Sequence, residues 1–427
     1  MPKESPRLGM VVSEKSAKTG AGDPPLSSEQ ELGQIGVWYE KNISYSIGPE
    51  TARSYSRLFQ SKARALLNEG NASSPEEAFL ETYRGFYEHA LGPFVVGWAV
   101  MALKTFQNVQ REVDPNTKLW WLPRDAYPGM WAAEVLSPSF GLDPSINQAV
   151  HINRLNLGIK DEIDPATKQL VDKTPDEYRQ VASYARQQIG DSKIIIIADS
   201  FQYAYMLEAL KNGKDSFIAK AGNVGAAWIN NSLPSEILDG IVSKDTTLLP
   251  VSFYSHLCGG LFRDTVPAYL NYLAMSSGHD LSAQEPKLYL EAIADVMEAT
   301  VCGHNSAQKF RTTTDGQIVP EIESTDDSLA VKFSKAAKAG ISSAALSYSE
   351  VIRERNWRTY AEMQQKHLKK AVSEFDKARQ GEESLFVAAT APSLSKRQAL
   401  FAHVLKQGDW LQIAQATRFI SKPGVLS

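Results

Sequence analysis

The residues best able to do chemistry in this chain stand where short apolar runs stop. "KLWWLP" at 118 to 123 gives way at once to Arg124 and Asp125, and then to Tyr127, Pro128 and Gly129. At the carboxyl end of a strand, Arg124 can hold a phosphate or carboxylate through two parallel N–H bonds, while Asp125 can accept from sugar hydroxyls or bind a metal. The "PGM" that follows would open a helix whose first amides favour an anion. The plain structural alternative is an ion pair that ties a loop to a sheet edge. A second such place is Asp199, which ends the run "KIIIIAD". A carboxylate there suits ribose hydroxyls, a metal or attack on phosphorus, and it equally suits the N-cap of the next helix.

Two specific chemistries can be weighed for Asp199. A phosphohydrolase of the haloacid dehalogenase type needs another Asp two residues after the nucleophile, and Phe201 stands there. A phosphoribosyl-binding loop wants two consecutive acids followed by a Thr-Gly-rich turn whose amides cradle the phosphate. Ala198 replaces one acid and "QYAYM" replaces the turn.

The chain's two cysteines form a third constellation. His256 precedes Cys258 in "HLC", and Cys302 precedes His304 in "CGH", so each Cys has a His two residues away. In extended segments each His and Cys would project to one side, and the two pairs could complete a tetrahedral zinc site. Burial of both thiols as small apolar groups is the competing reading. His151 and Arg154 in "HINR" can line the same strand-end cleft as Arg124, or sit in an ordinary loop. "AKAGNVGAAW" is neither a Walker loop nor a G-x-G-x-x-G fingerprint, so ATP or NAD use has no support. H-E-x-x-H and G-x-S-x-G are absent, which removes the simplest zinc-protease and α/β-hydrolase readings.

Composition narrows the partners. The 427 residues carry a net charge of -4, with 43% hydrophobic and 22% charged residues, as ordinary globular proteins do. That balance gives no electrostatic reason for a nucleic-acid or anionic-membrane partner. Two cysteines exclude a disulfide framework and point to a reducing, cytoplasmic setting. The first residues, "MPKESPRLGMVVSEKSAKTGAGDPPLSS", lack the apolar core of a secretory signal and read as a disordered lead-in. The most apolar stretch, "LGPFVVGWAVMAL" at 91 to 103, is shorter than the roughly 20 residues a span needs, and is expected to be a buried helix.

The elements that must position these residues follow from pattern. Ser28 and Glu31 suggest a capping box; Pro49 starts a second helix with Leu58, Ala65, Leu66 and Leu67 on an apolar side; Ser74 and Pro75 cap a third. Then short runs alternate with helices. Strands are expected at 118 to 123, 149 to 155, 193 to 200, 215 to 223 and 246 to 256, although Pro250 counts against the last. Helices are expected over "GMWAAEVL", "TPDEYRQVASYARQQIG" and "FQYAYMLEALKNG". Asp315-Gly316 signals a hairpin within 308 to 323, and the last hundred residues read as helices with solvated charged faces. Such alternation implies an α/β fold with an open, mainly parallel sheet, whose ligands sit outside the strands' carboxyl ends. The expected division is a lead-in at 1–28, a helical region at 29–112, an α/β domain at 113–325 and a helical lobe at 326–427.

The order of these motifs carries a resemblance. "LGPFVVGWAVMAL", "RDAYPG", "IIIIADSFQYAYMLEAL" and "EATVCGHNSAQKF" with "DGQIVPEIE", over roughly residues 90 to 325, resemble the region that follows the phosphatase module in haloacid-dehalogenase-type proteins of bacterial polysaccharide loci. Those carry Arg-Asp-Gly-Tyr where this chain has Arg124, Asp125, Ala126 and Tyr127; the N-terminal helices here contain no strand ending in Asp-x-Asp, as a phosphatase module would require. That region is in turn similar to type I phosphoribosyltransferases. The resemblance implies a phosphoribosyltransferase-like fold acting at the anomeric carbon of a phosphorylated sugar or nucleotide. By it, Asp125 and Asp199 would be catalytic, Arg124, Tyr127, Arg154 and Ser200 would bind substrate, and Mg²⁺ would neutralise a leaving diphosphate. The loop after Asp199, with Ala204 and Tyr205 near the turn, motivates the alternative of a catalytically silent relative. Such a protein would bind a partner or a second copy through its helical lobes.

Overall fold

A computed structural model describes residues 26–47, 49–123, 126–152, 159–160, 175–199, 228–229, 246–253, 309–322 and 328–378. The chain begins with helix α1 (Ser28–Ile47). Its cap lies one residue before the expected box: Ser27 N–H donates to Gln30 Oε1 at 2.9 Å, and Gln30 N–H returns a bond to Ser27 Oγ at 3.3 Å. Two first-turn amides are thereby satisfied reciprocally by Ser27 and Gln30 rather than by Ser28 and Glu31. Helix α2 (Pro49–Asn68) follows, and its buried side is Ala52, Tyr55, Leu58, Phe59 and Ala63; Ala65 is exposed and Leu66 and Leu67 are half-buried. The aromatic residues set that face, because their area dominates what the helix gains by packing.

Helix α3 (Pro75–Phe86) starts as expected, with Ser74 Oγ accepting from Glu77 N–H and Pro75 in the first turn. It runs through a π-helical turn (Tyr87–Leu91) into α4 (Gly92–Glu112). The π-turn lies against α7 (Ser328–Arg353), where a Cβ on Gly340 would come within 2.3 Å of the Arg84 carbonyl oxygen. Only a residue without a side chain permits that approach. The joined segment Pro75–Glu112 is long and apolar enough to cross a membrane by length and composition, and 83% of its most apolar window is buried inside the protein. Helix α8 (Trp357–Ala378) is separated from α7 by a break at Arg355, whose φ of 55° is left-handed; Asn356 then caps α8 through Oδ1 and Thr359 N–H at 3.2 Å. The sequence pattern runs through this break as one helical stretch.

The sheet is parallel and small. Its strands are β1 (Lys118–Trp121), β2 (Asn147–Ala149), β4 (Ile194–Asp199) and β6 (Thr247–Ser252), in the order β2-β1-β4-β6. Helices α5 (Tyr127–Leu136) and α6 (Pro175–Ile189) lie in the connections between them. The protein is thus largely helical around a four-stranded parallel sheet, an α/β arrangement. Among the described strands β6 stands at one edge of this sheet, a position in which Pro250 costs no ladder bond to a further described strand. The strand expected at 149 to 155 lies earlier, at Asn147–Ala149. Its polar residues hid it: Asn147 accepts from the Trp121 indole at 3.0 Å and donates to Ser137 Oγ at 2.9 Å, so side-chain bonds do the work of apolar packing there.

Period-two alternation divides the sheet between two layers. Leu119, Trp121, Ile194, Ile196, Ala198, Leu249 and Val251 join the large core built with α1 to α5, α7 and α8. Trp120, Ile195 and Ile197 take the opposite face, towards buried Val181, Tyr184, Ala185 and Ile189 of α6. A short antiparallel pair is formed by β3 (Ile159–Lys160) and β5 (Trp228–Ile229). The expected hairpin is β7 (Lys309–Thr312) and β8 (Ile318–Glu321), with Gly316 at φ 82° in its loop. It rests on α6, where Phe310 packs on Tyr184 with ring centroids 4.8 Å apart. The strand and helix expected between 201 and 223, and the helices expected after 378, lie outside the described residues.

Candidate functional site at the carboxyl edge of the sheet

The two ends of the sheet are built differently. At the amino end, the buried carboxylate of Asp114 accepts from Asn116 N–H at 2.9 Å, Lys193 N–H at 2.8 Å and Ile194 N–H at 3.0 Å. Ser192 Oγ adds a bond to the Asn116 carbonyl at 2.5 Å. These bonds clamp the start of β4 to the turn entering β1, and they close that end with local partners.

The carboxyl end holds the residues of chemical interest. From β1 the chain moves to β2 on one side, then crosses back to β4 on the other, so the order reverses between β1 and β4. In open α/β sheets neighbouring connections depart on opposite faces at such a reversal, and ligands are generally taken outside the strand ends there. Pairing persists one residue beyond β1, with Leu122 N–H donating to Ala198 O at 3.0 Å and Val150 N–H to Trp121 O at 2.9 Å. The β1 segment continues to buried Pro123 and resumes at buried Ala126, which starts α5 without a side-chain cap from that residue. On the other side of the reversal, Asp199 ends β4 and is 3% exposed.

Gly129 explains how α5 reaches this edge. A Cβ there would stand 2.4 Å from Cζ3 of Trp121 and 2.5 Å from Cζ3 of Trp98. The first turn of α5 therefore lies directly on two buried indoles, themselves packed edge to face at 5.1 Å. Trp98 is anchored in turn, its Nε1 donating to Val251 O of β6 at 2.9 Å.

Three further groups converge on the β1–β2 side. His151 follows β2, and its backbone N–H donates to the Tyr184 hydroxyl of α6 at 3.2 Å. Burial pushes the His151 imidazole from its ordinary 6.5 down to about 4, so at neutral pH it is uncharged. Tyr127 opens α5, stacks on Trp131 with centroids 6.1 Å apart, and is 8% exposed. Burial first, and the neighbouring Tyr184 second, push its phenol up to about 12. Both phenols consequently stay protonated across the physiological range, available as O–H donors rather than as bases.

Of the candidates read from sequence, Tyr127 and Asp199 are placed at one sheet edge, with His151 beside Tyr127's neighbour Tyr184. Arg124, Asp125, Arg154 and Ser200 lie outside the described residues, as do His256, Cys258, Cys302 and His304. Among the described residues, no group of three or more His, Cys, Asp or Glu is arranged to hold a metal. Tyr184 was not singled out by the sequence reading, because a tyrosine among Val181 and Ala185 reads as helix core. Its signal is the hydroxyl, which needs a partner when buried. Comparison of the chain with family models, with curated proteins and with solved structures finds no match in any of the three.

Proposed function

We infer that the chain binds a phosphorylated sugar or nucleotide at the carboxyl edge of its parallel sheet, with chemistry at the anomeric carbon as a phosphoribosyltransferase-like enzyme would perform it. The observation that carries this reading is the reversal of strand order between β1 and β4, with Asp199 at the end of one strand and the Arg124-Asp125 pair following the other in sequence. A strand-order reversal is where open α/β sheets take their ligands. In this reading Arg124 meets the phosphate, Asp199 the sugar hydroxyls, and Asp125 a divalent cation such as Mg²⁺; Tyr127, Arg154 and Ser200 complete the contacts. Positioning and electrostatics would supply most of the rate enhancement, by stabilising charge that develops as the anomeric bond breaks.

The test is isothermal titration of ribose 5-phosphate, with and without Mg²⁺, into the protein and its Arg124→Ala variant. Loss of a charge-assisted bidentate contact should weaken binding by about 30- to 100-fold, equivalent to roughly 2–3 kcal/mol. Equal affinities would remove Arg124 from the site.

A second reading has its own support. Tyr127, His151 and Asp199 are all buried, so the described part of the edge is closed by protein groups. A relative without catalysis, serving as a partner-binding or regulatory protein, would show that closure. It predicts that no phosphosugar or nucleotide raises the unfolding temperature, whereas a ligand of the native state must.

A further inference from the structure

We propose that Trp120 and Gln148 form a hydroxyl-binding subsite on the α6 face of the sheet, reading one hydroxyl of a sugar held at the carboxyl edge. The proposal rests on the phosphosugar reading above for its ligand, and on an independent observation for its place. Nε1 of Trp120 and Oε1 of Gln148 are both shut off from solvent, and neither has a hydrogen-bond partner. Two other core indoles of this region are paired, Trp98 with Val251 O and Trp121 with Asn147 Oδ1. Trp120 is the exception, although it is 2% exposed. Buried indole N–H groups are ordinarily satisfied, so an orphan among paired neighbours calls for a partner.

The two atoms belong together. Trp120 and Gln148 are direct register partners on β1 and β2, so their side chains leave the same face of strands about 4.8 Å apart. An indole N–H only donates, and a carboxamide oxygen only accepts. A carbonyl or phosphate could serve the indole and would leave the amide oxygen facing another acceptor; an ammonium would serve the amide oxygen alone. One oxygen that accepts and donates at once satisfies both, as a hydroxyl or a water does, and the hydroxyl is the occupant a ligand can bring.

Location ties this hydroxyl to a sugar. Trp120 is also in register with Ile197, two residues before Asp199, so Asp199 continues the same face about 7 Å further along β4. Among the described strands Gln148 lies on an edge strand, and the residue is half-buried although its Oε1 is shut off from solvent. A polyhydroxylated ring seated at Asp199 thus has a second polar contact within reach on the face it would cover.

The indole N–H signal of Trp120, assigned among the eight tryptophans by its loss in Trp120→Phe, provides the test. D-ribose and inorganic phosphate are titrated separately into the full chain. The expected result is that ribose moves the Trp120 signal and slows its hydrogen exchange, that phosphate does neither, and that Gln148→Leu weakens the ribose effect about tenfold. An unmoved signal, or an effect unchanged in Gln148→Leu, overturns the subsite in favour of a structural water. Ribose 5-phosphate separates the two claims. If ribose moves Trp120 but the phosphate adds no affinity, the subsite stands and the phosphosugar reading falls. If ribose 5-phosphate binds through Arg124 while Trp120 is unmoved, the reverse holds.

Discussion

Gly129 packs so close to the ring of Trp121 that an added Cβ would stand 2.4 Å from its Cζ3. The glycine of "YPGM" therefore lets the α5 entry pack on two indoles that are each anchored by a hydrogen bond, Trp98 to Val251 O and Trp121 to Asn147 Oδ1. Gly129→Ala gains helix propensity, yet overpacking a rigid core should outweigh it and cost about 1–3 kcal/mol. Urea unfolding should show a lower midpoint with an unchanged slope; a stabilised variant would mean that the indoles yield.

Asp114 and the backbone of Lys193 and Ile194 form the clamp at the opposite end of the sheet. Asp114→Ala leaves three backbone amides without their acceptor, two of them at the start of a buried strand. The expected loss is about 2–4 kcal/mol, because buried donors lose their partners without regaining water. Ligand affinity at the carboxyl edge should be unchanged in the fraction that remains folded. A stability within 0.5 kcal/mol of the parent, roughly the scatter of surface substitutions, would show that the clamp contributes little.

The buried His151 fixes an acid limit. Above pH 6.5 the imidazole is neutral in the folded and unfolded chain alike, so it adds no pH dependence. Below that value the unfolded chain takes up a proton that the folded site refuses until about pH 4. Stability should fall through this window by up to about 1.4 kcal/mol per pH unit from this group. His151→Phe should flatten the slope between pH 6.5 and 4; a slope identical to the parent's would place the proton uptake elsewhere.

Tyr348 and His367 join α7 to α8 through a 2.6 Å bond between the hydroxyl and Nδ1. Burial holds the phenol well above its ordinary value, so the hydroxyl keeps its proton, and the imidazole tautomer decides which of the two groups donates. Burial, then Lys366, Lys370 and His89, lower the His367 value, which disfavours the charged imidazole beside the buried phenol. The direction matches that of His151, with stability lost as pH falls below the ordinary histidine range. Tyr348→Phe should cost about 1–2 kcal/mol at pH 7 and shift the melting temperature downward. An unchanged temperature would show that the pair adds nothing to the docking of α8.

Much of the frame was legible in the sequence, for reasons that can be named. Four isoleucines in "KIIIIAD" leave no polar side, as a strand covered on both faces requires, and β4 is that strand. Ser74-Pro75 and Asp315-Gly316 are local signals whose physics lies within a few residues, and both appear where expected. The strand β2 was misplaced because Asn147 is held by side-chain bonds to Trp121 and Ser137, which no hydropathy period records. At the site, Asp199 was legible as the acid after an apolar strand. Tyr184 was not, because its role depends on α6 crossing to the end of β2, a contact 33 residues apart in sequence. Trp120 was equally hidden, since the sequence does not show that its indole, unlike that of Trp121, is left without a partner.

The most direct test of the central claim is calorimetric titration of ribose 5-phosphate into the parent chain and into Asp199→Asn, a near-isosteric change at the strand-order reversal. Both proteins should melt at similar temperatures, and the variant should bind at least tenfold more weakly, since an amide accepts sugar hydroxyls less well than a carboxylate. Undiminished binding to Asp199→Asn, or no binding to the parent at millimolar ligand, would contradict a phosphosugar site at the carboxyl edge of this sheet.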